Sequence, residues 1–239
     1  EGANGRYHNG RRSFAIRFND GRHLAAKDQD GRGYPKKWSR LNISKGQSNH
    51  QTVTFGLNEA MTYFLCDKVG VPSPLTHYMH WRVIRGAQEQ PDTYGGDFYG
   101  VFMIQENYDA RFLDTHGMEK GTLYKLINAA RALPAGGNAD MLGQQRYQGP
   151  YAPTNAQDAV NAEAVLLGPN PRHDTASLLA YVNYPKWYRY HAIIEAVRDY
   201  DFWPDANKNA AWYFEPAYGA SNNFGGRMWT LPWDATDTW

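Results

Sequence analysis

Cysteine is almost absent: the 239-residue chain holds one, Cys66. A single thiol closes no intramolecular disulfide and supplies no cysteine-cluster metal site. Net charge is nearly absent too. Lys and Arg number 25 against 24 Asp and Glu, for a formal +1, which argues against the basic face of a nucleic-acid binder. No apolar run approaches the ~20 residues that a membrane-spanning helix needs. What the chain does have is a core-forming share of hydrophobic residues, 42%, which excludes general disorder. Aromatics reach 15%, with 8 Trp and 17 Tyr, which suits a ring-rich surface or cleft. The length allows one large domain or two modest lobes. The chain opens on Glu1, with no charged-then-apolar leader, and ends on Trp239. We read it as a core domain cut from a longer precursor, with any targeting signal outside it.

The hydrophobic pattern is β-rich first and helical later. Phe14, Ile16 and Phe18 alternate with polar or small residues, predicting a half-buried strand that ends at the Asn19-Asp20-Gly21 turn. Trp38 to Ser44 predicts a second strand, and Leu57 to Val69 a helix stopped by Gly70 and Pro72. Cys66 falls inside that helix and reads as a small core residue. Thr76 to Ile84 and Asp97 to Gln105 predict an antiparallel pair joined by a long polar loop. His77 and His80 point to opposite faces of its first strand, so they cannot share a metal. The region 129–174, with Pro134, Gly136 and Gly137 and weak periodicity, predicts loops and short helices in an insertion or lid. A helix capped at Asp174-Thr175 follows, then one opened by Pro185 that carries Trp187, Tyr190, His191, Ile194 and Val197 on one face. His191 reads as a core histidine. Short strands near 212–214 and 228–231 close the chain. This order is an α+β plan.

Chemistry concentrates at the C-terminal end. Asp199, Asp201, Asp205, Asn207 and Asn209 follow a helix, and Asp234 follows a strand. A hairpin between them would return Asp234 towards the loop carrying Asp201. Hard oxygen ligands of this kind suit Mg²⁺ or Mn²⁺, with phosphate completing the shell. Protein kinases use one Asp near the attacking hydroxyl, then an Asn, then a later Asp, the last two holding metal. Asp201, Asn207 or Asn209, and Asp234 stand in that order. Asp and Asn are also the commonest turn and cap residues, so spacing alone leaves the structural reading open.

The sequence resembles the CotH-type spore-coat kinases, envelope-associated or secreted bacterial proteins with a divergent kinase-like fold. Gly5-Arg6 and Arg11 to Phe18 are similar to the family's opening glycine-rich segment. Leu57 to Pro74 resembles its first helix. Tyr99 to Glu106 and Gly121 to Lys125 resemble two later motifs of the family. Tyr200-Asp201 with the following asparagines resembles its catalytic loop, and Pro232-Trp233-Asp234 matches its PWD motif.

The resemblance implies a two-lobed fold. An antiparallel β-rich lobe would span 1–107, and a mainly helical lobe 108–239, with the irregular insertion around 129–174 and the nucleotide between the lobes. It implies ATP- and Mg²⁺- (or Mn²⁺-) dependent phosphoryl transfer to Ser or Thr of surface or spore-coat proteins, at the cell envelope or outside the cell. Asp201 would orient the substrate hydroxyl, and Asp234 would bind metal. Counting forward from Asp201 favours Asn207 as the further ligand; counting back from the strand favours Asn209. The phosphate-binding cation has several candidates. Arg11 and Arg12 stand where the family has lysines, Lys37 lies in a Pro-Lys-Lys segment, and Lys125 follows Leu-Tyr in what reads as a turn. Glu106 could orient that cation or lie near the nucleotide, with Glu59 as the alternative. Trp203, Trp212 and Trp233 would pack around the site. Two departures matter: Arg is not interchangeable with Lys, and Thr236 stands where the family often has a second acid, with Asp237 one residue later. They motivate the alternative of a catalytically silent surface, adhesion or carbohydrate-associated module.

Overall fold

A computed structural model describes residues 13–28, 30–44, 55–82, 98–126, 137–167, 175–199, 209–216 and 226–235. The described residues form two antiparallel four-stranded sheets with helices, an α+β arrangement. The chain divides into two compact units, Glu1–Ala60 with Leu75–Asn107, and Met61–Pro74 with Tyr108–Trp239.

The first unit is built on strands β1 (Phe14–Arg17), β2 (Arg40–Ser44), β3 (Thr76–Arg82) and β4 (Phe98–Gln105), in the order β1-β2-β4-β3. Leu41 and Ile43 on β2, and Phe102 and Ile104 on β4, alternate onto one face and pack with Ala26 and Trp38. Tyr34 stacks on Trp38 with centroids 5.3 Å apart, and its hydroxyl donates to the Thr76 carbonyl at 3.1 Å. The expected pairing of β3 with β4 is present, from Thr76↔Gln105 to Arg82↔Phe98. The expectation for β1 needs correction. Phe14 and Ile16 are 37% and 36% exposed, and neither belongs to the buried cluster of the first unit. Phe14 instead lies flat against Trp81, with centroids 5.9 Å apart.

Helix α1 (Leu57–Lys68) follows Phe55 and Gly56, both left-handed (φ 53° and 80°). A Cβ on Gly56 would lie 3.2 Å from the Met103 side chain, so glycine serves here for close approach as well as for φ. The helix closes on left-handed Gly70. The N–H groups of Gly70 and Val71 cap the Asp67 and Cys66 carbonyls, both at 2.9 Å.

The second unit carries helix α2 (Ala110–Thr115), β5 (Thr122–Leu126), α3 (Gly137–Gln144), β6 (Gln145–Tyr147), α4 (Gln157–Leu167), α5 (Thr175–Tyr181), α6 (Tyr184–Ala196), β7 (Ala210–Phe214) and β8 (Met228–Pro232). Its sheet runs β6-β5-β7-β8, and strand alternation gives it two distinct cores. On one face Leu123, Ala211, Tyr213, Trp229, Leu231 and Trp233 meet Cys66 and Val71, Phe112 and Leu113, and Tyr190 and Ile194, so helices α1, α2 and α6 cover it. On the other face Tyr124, Leu126, Trp212, Phe214 and Met228 meet Met141 from α3 and the small residues Ala159 and Ala162 from α4. Within the region expected to hold loops and short helices, the described part 137–167 supplies two short helices, and both pack on this second face. Its weak periodicity has a physical source: α4 buries alanines, which give little hydrophobic contrast. Two other expectations shift. Lys125 lies on a central strand, not in a turn, and Trp212 faces away from Trp233. Asn183 caps α6, accepting from the Lys186 N–H at 3.4 Å, with Pro185 in the first turn.

Candidate functional site

Strand register decides which residues meet at one end of the second sheet. Ala210 pairs with Pro232 across β7 and β8, so Asn209, just before β7, and Asp234, two residues beyond β8, leave the same end. Leu126 pairs with Ala210, and Lys125 with Ala211, which brings Lys125 to that end as well. Lys125 shares a face with Trp233: its ammonium lies 3.0 Å from the centroid of the Trp233 ring. A cation on an indole face is held by the ring quadrupole. One carboxylate, one amide and one ammonium thus stand at one end of a strand pair, β7 and β8, whose residues are all buried.

The segment Pro232-Trp233-Asp234 is gripped on each residue. The buried Tyr108 hydroxyl donates to the Pro232 carbonyl at 2.6 Å, and its ring meets Trp233 edge-on at 5.7 Å. The Asp234 N–H donates to the Tyr63 hydroxyl at 3.3 Å. Asn209 and Asp234 are both left-handed, with φ of 58° and 55°. That conformation costs a non-glycine residue roughly 1–2 kcal/mol, and Asn and Asp tolerate it best. Asn209 is 4% exposed and Ala235 is fully buried, so the neighbourhood enforces the geometry.

Asp199 is buried at 9% exposure just past α6, where its N–H donates to the Ile194 carbonyl at 3.1 Å. Burial pushes the Tyr190 hydroxyl well up, and the Asp199 charge adds to this. Cys66 is raised to about 12, first by burial and then by Asp199 and Asp67, against an opposing hydrogen bond with Ser73. It is a protonated core thiol at neutral pH, as the sequence suggested, and not a nucleophile.

The other candidates divide as follows. Asp201 and Asn207, Arg11 and Arg12, Trp203 and Thr236 lie outside the described residues. Lys37 and Glu106 belong to the first unit. Lys37 is exposed. Glu106 is buried at 3% exposure, and its Oε2 accepts the Leu75 N–H at 3.4 Å. Glu59 is buried near the start of α1. Among the described residues, no group of three His, Cys, Asp or Glu lies close enough to hold a metal. Asp234 and Asn209 are hard oxygen donors suited to Mg²⁺ or Mn²⁺ when phosphate supplies further oxygens, and the neighbouring ammonium suits that phosphate. The donor set therefore fits a nucleotide–metal pair. Sequence reasoning missed Tyr63 and Tyr108. Tyr63 lies 171 positions from Asp234, and only the folded register reveals either contact.

No helix of the described residues is long and apolar enough to cross a membrane. A family model described as CotH kinase protein matches residues 2–239. A search of curated proteins gave no match.

Proposed function

This chain belongs to the CotH kinase family, and on that premise we propose that it transfers the terminal phosphoryl group of ATP to Ser or Thr hydroxyls of a protein substrate. The observation that carries the reading is the register that gathers Lys125, Asn209 and Asp234 at one sheet end. In this reading Asp234 and Asn209 hold Mg²⁺ or Mn²⁺, which supplies charge neutralisation along the phosphates when bound. Lys125, steadied on Trp233, meets a phosphate oxygen. Asp201 orients the acceptor hydroxyl and receives its proton. Asn209 is taken as the further ligand because the register brings it to the sheet end that Asp234 leaves; Asn207 stays the alternative. Arg11, Arg12, Lys37 and Glu106 remain candidate nucleotide contacts. A divergent two-lobed kinase-like fold, with lobes 1–107 and 108–239, belongs to the same proposal. So do coat or surface proteins as substrates, and a place at the spore surface or cell envelope.

A thermal-shift titration with ATP, with and without Mg²⁺ or Mn²⁺, tests this. The expected result is a metal-dependent rise for the natural chain that Asp234→Asn abolishes, since a ligand that binds only the folded state stabilises it by mass action. Transfer of labelled phosphate to a protein acceptor, lost in the same variant, completes the test. Absence of any shift with either metal sinks the proposal. It would favour a silent surface module, the reading to which Thr236 points, standing where the family often has a second acid.

A further inference from the structure

We propose that Tyr63 is a positioning residue that sets metal affinity by fixing the backbone of Asp234, without itself meeting metal or nucleotide; this rests on the reading of Asp234 as a metal ligand. Asp234 carries φ of 55°, in a region where glycine would be unstrained. Strain of this kind persists only where surrounding structure over-determines it, and it clusters at functional positions. Glycine would remove the strain and also the carboxylate. A residue that must keep its carboxylate and turn the chain at the same point therefore needs outside support.

Tyr63 provides that support from a different element. It lies on α1, is 2% exposed, and accepts the Asp234 N–H at 3.3 Å. The flanking residues are fixed separately. Pro232 is held through its carbonyl by Tyr108, Trp233 is held beneath Lys125, and Ala235 is fully buried. With both neighbours pinned, the rotational freedom left at Asp234 is that of its own peptide, and the Tyr63 hydroxyl is placed to take it up. The hydroxyl thus acts as the outer partner that orients a metal ligand, a role whose loss costs about 10–100-fold in metal affinity in other sites.

The test uses Tyr63→Phe, which removes the hydroxyl and keeps the ring, in the full chain. Free Mn²⁺ is followed by electron paramagnetic resonance during titration in the presence of a non-hydrolysable ATP analogue. Amide hydrogen exchange at Asp234 is measured on the same proteins. The expected outcome is roughly tenfold weaker Mn²⁺ binding and faster exchange at Asp234. Exchange at Ala211 and Leu231, in the core of the same sheet, should stay as in the natural chain; a merely structural role would speed exchange there too. Unchanged Mn²⁺ affinity, or unchanged exchange at Asp234, overturns the role of Tyr63 while leaving the phosphotransfer reading intact. No Mn²⁺ binding by the natural chain overturns that reading and this proposal together. If Tyr63→Phe fails to fold, exchange at the Asp234 amide of the natural chain, measured with and without Mn²⁺ and the ATP analogue, takes its place: a protected amide is expected, and an amide that exchanges at the open-chain rate overturns the proposal.

Discussion

Strands β1 and β8 both lie at the edge of a four-stranded sheet, yet their environments are opposite. All four residues of β1 are exposed, and all five of β8 are buried. Both faces of β8 are packed, Trp229 and Leu231 in one core and Met228 in the other, and its outer edge is covered as well. Beyond β8 the chain forms a parallel bridge between Val182 and Met228, and the Asn183 N–H donates to the Met228 carbonyl at 2.9 Å. Asn183 also donates to Glu215 at 2.6 Å, and the Lys186 ammonium lies 4.3 Å above the Trp229 ring. Charged and polar groups thus close the edge that would otherwise be a template for pairing. On β1 no comparable cover is present among the described residues. The strand that leads to Asp234 is therefore the constrained one, and constraint is what the left-handed Asp234 two residues beyond it requires.

Substitution in matched pairs would break or sharpen this contrast. The largest effect is expected for Trp229→Ala, which empties a side chain 2% exposed in the middle of the second unit's core. A loss of ~3–5 kcal/mol is expected from the cavity and the lost burial. Phe14→Ala on β1 removes a ring already 37% exposed, and should cost about 1 kcal/mol, the size of one aromatic pair. Urea denaturation of both variants checks this; equal losses would show that the edges do not differ in the way their burial indicates.

A glycine pair should give a smaller but equally directional contrast. A Cβ on Gly226, at the other end of the β7–β8 pair, would lie 1.8 Å from the Glu215 carbonyl oxygen, whereas one on Gly33 in the first unit would meet nothing within 4 Å. Gly226→Ala must displace backbone, and a cost of ~1–3 kcal/mol or more is expected. Gly33→Ala should stay within about 0.5 kcal/mol, as surface changes do. Melting temperatures of the two variants, measured side by side, decide it.

Legibility from sequence follows the same divide. In the first unit, alternation at Leu41 and Ile43 revealed β2 because one of its faces is buried and the other less so. In the second unit, β5 escaped as a strand because four of its five residues are buried, and a short run buried on both faces has no period to read. Helix α2 escaped because six residues are too few for periodicity. Its one local signal is Asp109, whose carboxylate accepts from the Arg111 and Phe112 N–H groups at 2.8 and 3.3 Å. For the candidate site, the types and order of the residues were legible, Asp234 and the two asparagines above all. The contacts of Lys125 with Trp233 and of Tyr63 with Asp234 were not, since both depend on which strands and helices become neighbours.

The smallest expected effect concerns pH, and it too should follow the buried unit. His191 sits on α6 with its ring 3.7 Å, centroid to centroid, from that of Trp187. Burial lowers it to about 4 from the ordinary 6.5, so the native state favours the neutral ring while the unfolded chain takes up a proton near the ordinary value. The stability that His191 contributes is thus fully present above about pH 6.5, and it is lost as pH falls from there towards 4, because protons bind the unfolded state first. The ring is only partly buried, so solvent screening reduces the loss below what the shift alone implies. Denaturation midpoints taken across this window should fall for the natural chain and fall less for His191→Phe, which keeps a ring against Trp187 and has nothing to protonate. Equal slopes for the two proteins would mean that carboxylates carry the acid sensitivity, and that the α6 face is wetter than its packing against the sheet indicates.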